Sequence, residues 1–550
     1  MNAMAVTAQD LGPGLLAATL AAPVVILAAC LSPKLRFYAL AFAPLAPLPA
    51  LAAAVLAIAG GSFAFEQPAL RMSLRLDTPG AMLLAAAALV WVVAGVFSVA
   101  DMRGKPNSAR FAVCWLLTLT GSLGVFIAAD LLTFYFVYAL VSIPAYYLIA
   151  QDDDPTSKRA GDVYVAFALL GEAFLLIAFV LLAAGEPGGS VQISDIAAAL
   201  SASPWRDAAL ALLIIGFGMK IALTPLHGWM PLSYTAAPIP AAAALSGAAV
   251  KAGVIGLIRF LPFETSASAW GEALVWLGFI SAFYGVAIGV TQQNPKTVLA
   301  YSSISQMGVI AAVLGMGLAK GDAGASSDAA FYAANHILVK AALFLTVGVT
   351  ATLSGRRLSL ALIVAAVLAL SLGGLPLTGG ALAKLAVKAP LGDGLASVAA
   401  TISAAGTTLL MLHFLVRLAA SRTAGAEPSP GRVWPWITLS AASILVPWLL
   451  LTALGRQHAA DALAPAKLWD ALWPMLVGGV LAAGLRGWEG RLLRVPAGDI
   501  VITQEAAFRA GAPLGAAIER MDARLRQWPA AGLSLLTIAL ILAAAAFAVR

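Results

Sequence analysis

About 16 apolar stretches, each near the length needed to cross a bilayer, run almost end to end through this chain. A spanning helix needs roughly 20 mostly apolar residues. The stretches lie near 11–32, 37–59, 79–99, 111–128, 132–150, 163–184, 207–223, 240–260, 270–290, 297–317, 329–351, 359–375, 395–420, 434–454, 470–486 and 531–549. Residues 376–390 read as a second half of the twelfth. With 61% hydrophobic and 11% charged residues over 550 positions, the chain falls far below the roughly 25% charge of a soluble domain. Lipid is therefore the solvent, and the fold class is an all-α membrane protein with about 14–16 transmembrane helices. The net charge of +7 does not point to nucleic acid, because the basic residues sit between the apolar runs.

Those basic residues alternate. Lys34, Arg36, Arg103, Lys105, Arg110, Lys158, Arg159, Lys296, Arg356, Arg357, Arg417, Arg422 and Arg432 follow odd-numbered spans, and the even loops are poorer. The positive-inside rule puts the odd loops in the cytoplasm and the N-terminus outside, in a bacterial inner membrane. The N-terminus lacks the basic stretch and cleavage site of a removable signal. Three regions follow: N-terminal helices over 1–110, a core over 111–420, and C-terminal helices over 421–550. The last region holds a charged segment at about 487–530, read as amphipathic on the cytoplasmic surface or as a solvated linker. Asp152, Asp153 and Asp154 read as a solvated turn. His413 and His458 read as packing or surface residues, and Cys30 and Cys114 as neither disulfide nor metal ligands.

Polar residues inside the spans carry the functional signal. A lysine at the bilayer centre costs roughly 2.5–3.5 kcal/mol and usually marks an ion or proton route. Lys220 in GFGMKIAL and Lys251 in SGAAVKAGV have no acid in their own segments. The plain alternative is a packing pair with an acid elsewhere. His336 and Lys340 stand at i, i+4 and share a helix face. Lys384 follows a break, while Lys388, one turn on, can simply snorkel. An amine held between water and lipid can release a proton and take it back as hydration changes. Two breaks lie beside these lysines: Pro225, His227, Gly228 and Pro231 in the seventh span, and Gly374, Pro376, Gly379 and Gly380 in the twelfth. Irregular backbone at membrane depth is tolerated only within protein or beside a water cavity. Paired breaks point to two inverted five-helix repeats, spans 4–8 and 9–13.

The stretch MKIALTPLHGWMPLSYTAAPIPAAAALSGAAVKAGVIGLIRF, with NPKTVLAYSSISQMGVI, NHILVKAALFL and GLPLTGGALAK following in order, resembles the antiporter-like membrane subunits. That family includes subunits of respiratory complex I, of membrane-bound hydrogenases and formate hydrogenlyases, and of Mrp-type sodium/proton antiporters. The resemblance covers roughly 110–420. It implies about 14 core helices with helices 7 and 12 broken, other membrane subunits as partners, and no cofactor or metal. It assigns Lys220, Lys251, His336, Lys340 and Lys384 to a central proton or cation path. It adds His227 at the first break, and Ser302, Ser303 and Gln306 as a polar turn. One departure stands out: the fifth-helix glutamate of the family is Ala139 here, in FVYALVSI. Glu172, in LLGEAFLL, is the candidate replacement. The TGG before Lys384 also departs from the family's FSG.

Three functions are compatible with these residues. One is a proton- or cation-translocating subunit driven by redox chemistry or ion antiport in its partners. A second is a subunit that energises uptake of inorganic carbon or another solute. The third is a non-conducting anchor, for which Ala139 is the best argument and five buried basic residues the best counterargument. Redox catalysis by this chain is not expected, since it carries no cysteine, haem-ligand or dinucleotide-binding motif.

Overall fold

The computed structural model describes residues 2–32, 38–421, 429–455, 462–487, 494–502, 519–520 and 523. Thirteen of its helices are long and apolar enough to cross a membrane. They are α1 (Asn2–Ala29), α2 (Ala39–Gly60), α3 (Thr78–Asp101), α5 (Leu131–Ile149), α6 (Pro155–Gly185), α8 (Ile239–Phe260), α9 (Ser268–Gly289), α10 (Pro295–Lys320), α11 (Gly324–Thr350), α12 (Gly355–Gly373), α13 (Leu395–Ala420), α14 (Pro430–Ala453) and α15 (Pro465–Arg486). Two shorter helices, α4 (Ser108–Gly124) and α7 (Arg206–Lys220), complete the series. These fifteen coincide with the first fifteen apolar stretches. The sixteenth, at 531–549, lies outside the described residues, as do Lys34, Arg36, Arg422, His458 and most of the 487–530 segment. The chain is a multi-pass, all-helical membrane protein. Residues Met1–Ala497 form one compact unit. A second unit, Gly498–Arg550, has helical backbone at 499–502.

Local sequence sets where the helices begin. Asp77, Asp130, Asp154 and Asn294 each accept a backbone N–H with their side chains at the starts of α3, α5, α6 and α10. Proline follows in the first turn of α3, α6 and α10, where its missing donor costs nothing. Asp154, read from sequence as part of a solvated turn, is thus a helix cap. Its carboxyl is held below the ordinary value by the N–H groups of Ser157 and Thr156.

One element differs from an all-helical reading. β1 (Phe63–Gln67) and β2 (Met72–Leu76) form an antiparallel hairpin between α2 and α3. Its alternating pattern, with Phe63, Leu74 and Leu76 buried, fits a half-buried strand pair. Strands of five residues are too short to stand out beside spanning helices.

Contacts between loops sort into two faces. Asp101 pairs with Arg432 at 3.1 Å, Lys296 donates to the Ala237 carbonyl, and Gln292 donates to the Val495 carbonyl. These join odd loops. Ala129 N–H bonds the Ser73 carbonyl, Ser266 donates to Ala319, Lys320 donates to Pro390, and Lys388 pairs with Asp470. These join even loops. The spans therefore alternate in direction as the charge pattern requires.

α8, α10 and α11 are almost wholly enclosed by protein, whereas α1 and α15 are mostly bare. The antiparallel pair α9 and α10 approaches closely because glycines meet backbone. A Cβ on Gly278 would stand 2.5 Å from the Gly308 carbonyl, and one on Gly315 would stand 2.7 Å from Gly271. In lipid, such small-residue seams supply the close van der Waals contact that the hydrophobic effect cannot.

Candidate functional site

The seventh span stops at Lys220 and resumes at Trp229–Ala236. Between them the freed backbone groups are taken up locally. Trp229 Nε1 donates to the Met219 carbonyl at 2.8 Å, and the Thr224 N–H donates to Ser281 Oγ at 2.8 Å. The helix end leaves Lys220 buried, and its Nζ donates to Ser142 Oγ at 2.8 Å. It stands 5.2 Å from the Tyr138 ring centre and 5.9 Å from that of Tyr164, as a cation over aromatic faces. Glu172, 5% exposed, lies near the same Ser142 hydroxyl and interacts electrostatically with Lys220. The structure thus brings Glu172 of α6 close to Lys220 of α7. Ala139 lies one turn before Ser142 on α5.

α8 carries a π-helical turn at Leu245–Ala249. Such turns free carbonyls from the helical ladder. The Ser246 carbonyl accepts from Lys251 Nζ at 3.0 Å, and the same amine lies 2.7 Å from His336 Nδ1. Lys251 and His336 are both fully enclosed, and His336 Nε2 has no hydrogen-bond partner. A space of about 10 Å³ is bordered by Lys220, Tyr234 and, on α8, Leu245, Ala249 and Val250. Volumes of that order hold about one water molecule.

One turn along α11 from His336, Lys340 donates to the Leu299 carbonyl at 2.8 Å. Leu299, Ser302, Ser303 and Gln306 then share one face of α10, at spacings of three and four. Ser303 Oγ reaches Ser246 Oγ at 3.4 Å, tying α10 to the π turn. Gln306 accepts from the Tyr332 hydroxyl at 2.6 Å and donates to Thr407 at 3.0 Å.

The twelfth span breaks after Gly373 and resumes as Gly379–Ala386. Gly374 has φ of +108°, a conformation that only glycine adopts readily. Lys384 folds back and donates to the Gly373 carbonyl, freed at the helix end, at 2.8 Å. Trp448 caps the Leu377 carbonyl. Lys384 borders a cavity of about 270 Å³ that also reaches Gln306, Tyr332 and Thr407.

Lys251, His336 and Lys340 thus interact with one another in an enclosed cluster, Glu172 stands beside Lys220, and Lys384 borders the cavity that reaches Gln306 and Tyr332. His227 is fully buried at the first break with its ring edge-on to Tyr284, centres 4.8 Å apart. No described contact joins it to the lysines. His413 bonds the Gln292 carbonyl and is a packing residue. Sequence reasoning missed Ser142, Ser246, Tyr332 and Thr407. Tyr332 could have been found: it stands four residues before His336 and eight before Lys340, on the same helix face.

The family described as "NADH:quinone oxidoreductase/Mrp antiporter, TM" matches residues 128–410. Hydrogenase-4 component B of Escherichia coli (strain K12) is 30% identical over 291 residues, covering 50% of this chain and 43% of that protein. NAD(P)H-quinone oxidoreductase chain 4 2 of Thermosynechococcus vestitus is 32% identical over 288 residues, 52% of each. This chain thus spans about half the length of these relatives. Among solved structures, a chain of the Mrp complex from Dietzia sp. DQ12-45-1b superposes with a TM-score of 0.76. It is 21% identical, and the match covers 98% of this chain and 63% of that one, a likeness of fold. With that fold and more than half of its residues matched, the chain belongs to the NADH:quinone oxidoreductase/Mrp antiporter transmembrane family.

Proposed function

We propose that this protein is the proton-translocating membrane subunit of a larger assembly in a bacterial inner membrane. Its partners are other membrane subunits of the respiratory, hydrogenase or Mrp kind, and its N-terminus lies outside. Protons pass along the sequence Glu172–Ser142–Lys220, then Lys251–His336, Lys340, the Gln306–Tyr332 pair and Lys384. The two halves of the path belong to inverted five-helix repeats within a core at 111–420, each repeat with one broken span. His227 belongs to the first break and tunes its geometry.

The observation that carries this reading is the Lys251–His336 contact of 2.7 Å in a fully enclosed site. Two basic groups so close, with no buried acid beside them, share protons more readily than they both hold charge, because each added charge is opposed by burial and by its neighbour. That is a relay arrangement rather than a packing one.

Proton flux driven by an imposed membrane potential, in vesicles holding the full chain with its partners, tests the reading. Replacing Lys384 or Lys220 by methionine abolishes it if the path is as stated. Unchanged flux in both variants refutes it. Ala139 favours a second reading, a non-conducting anchor, which predicts no flux above background in the unaltered protein.

A further inference from the structure

The cavity beside Lys384 has an outer end that the path above does not use. Its walls are the second half of α12, α13 and α15. At its inner end stand Gln306, Tyr332 and Lys384. At its outer end stand Lys388 and Asp470, which pair at 2.7 Å and are 48% and 43% exposed. Asp470 is the single carboxylate among the described residues that border the cavity. It lies on α15, outside the residues that match the family. Ser397, Thr401 and Ser403 stand among the mostly apolar residues of its lining. Ser403 Oγ is buried with no hydrogen-bond partner, as a group does when it serves solvent or a transient ligand. Lys388 lies two residues before Pro390, whose carbonyl accepts from Lys320 on the even-loop face.

We propose that the Lys388–Asp470 ion pair is the outer gate of the path. It is a latch between α12 and α15 that sets how freely water in the cavity, and so Lys384, exchanges with the even-loop face. This rests on the proton-path reading above. The physical basis is the placement of the pair. Lys388 is carried by the short segment just after the second half-helix, so a shift of that half-helix moves Lys384 and Lys388 together. Asp470 is held on a separate helix. Motion that breaks the pair opens the mouth, and motion that restores it closes the cavity over the amine. An exposed pair of this kind is weak enough to break in every cycle.

The test measures access directly. Thr401→Cys is placed in a Cys30→Ala, Cys114→Ala background of the full chain and labelled in membrane vesicles with a membrane-impermeant thiol reagent. Glu264→Cys marks the even-loop side. Asp470→Asn should raise the labelling rate from that side about two- to fivefold, the factor an exposed ion pair supplies. The charge-swapped pair Lys388→Asp, Asp470→Lys should return it to the parental rate. An unchanged rate in Asp470→Asn overturns the gate, and so does a swap that labels as fast as Asp470→Asn. Flux measured in Lys384→Met separates the two ideas. Surviving flux with faster labelling in Asp470→Asn rejects the path but keeps the latch. Lost flux with unchanged labelling rejects the latch alone.

Discussion

Replacing Glu172 by glutamine removes the carboxylate that faces Lys220 across the Ser142 hydroxyl. Glutamine keeps the shape and a hydrogen-bonding end, so the change is chiefly one of charge. Two unit charges a few ångströms apart interact by about 3 kcal/mol at an effective dielectric near 20. That corresponds to about 100-fold in a rate that depends on the charged lysine. Potential-driven proton flux in vesicles, read with a pH-sensitive dye, should fall about 30- to 100-fold in Glu172→Gln. Ala139 offers an internal control. It sits one turn before Ser142, on the same side of α5, so Ala139→Glu in the Glu172→Gln background should recover at least about tenfold of the loss. Flux within twofold of the parental value in Glu172→Gln would show that Glu172 does not stand in for the missing fifth-helix acid.

The α9–α10 seam gives a stability prediction. Gly278→Leu drives a side chain into the Gly308 carbonyl, and overpacking of this kind costs about 1–3 kcal/mol or more. The thermal unfolding midpoint of the purified protein should drop by several degrees, and an unchanged midpoint contradicts the packing. The cap of α6 gives a pH dependence. The Asp154 carboxyl is held below its ordinary value by two backbone N–H groups. Its contribution is therefore complete above the unfolded value near 4 and is lost as pH falls further, through the lower folded value. Asp154→Ala should be less stable than the parent at pH 7, and the difference should shrink as pH falls below about 4. A constant difference across that range would assign the effect to something other than the capping carboxylate.

The spans were legible because lipid imposes one rule, a long apolar run per crossing, and thirteen helices among the described residues obey it, with two shorter ones at the other predicted stretches. The breaks were legible for the same reason, since proline and glycine interrupt those runs beside Lys220 and Lys384. The pairing of side chains was not. Lys251 and His336 are 85 positions apart, and nothing in either segment announces the other. Ser142 is an ordinary residue in an apolar helix until α7 brings a lysine to it. The hairpin at Phe63–Leu76 was hidden by its brevity. The sequence suggested Glu172 only through its rarity as an acid in a span. Its position against Lys220 is a property of how α5, α6 and α7 pack.

The most direct test of a proton path through the enclosed centre is Lys251→Met, with flux and unfolding measured on the same preparation. Methionine matches the stem of lysine and removes a buried charge centre whose removal is often neutral or stabilising. The account predicts an unfolding midpoint at or above the parental one, together with flux reduced at least about 100-fold. A folded Lys251→Met protein that passes protons within a factor of two of the parent would contradict it.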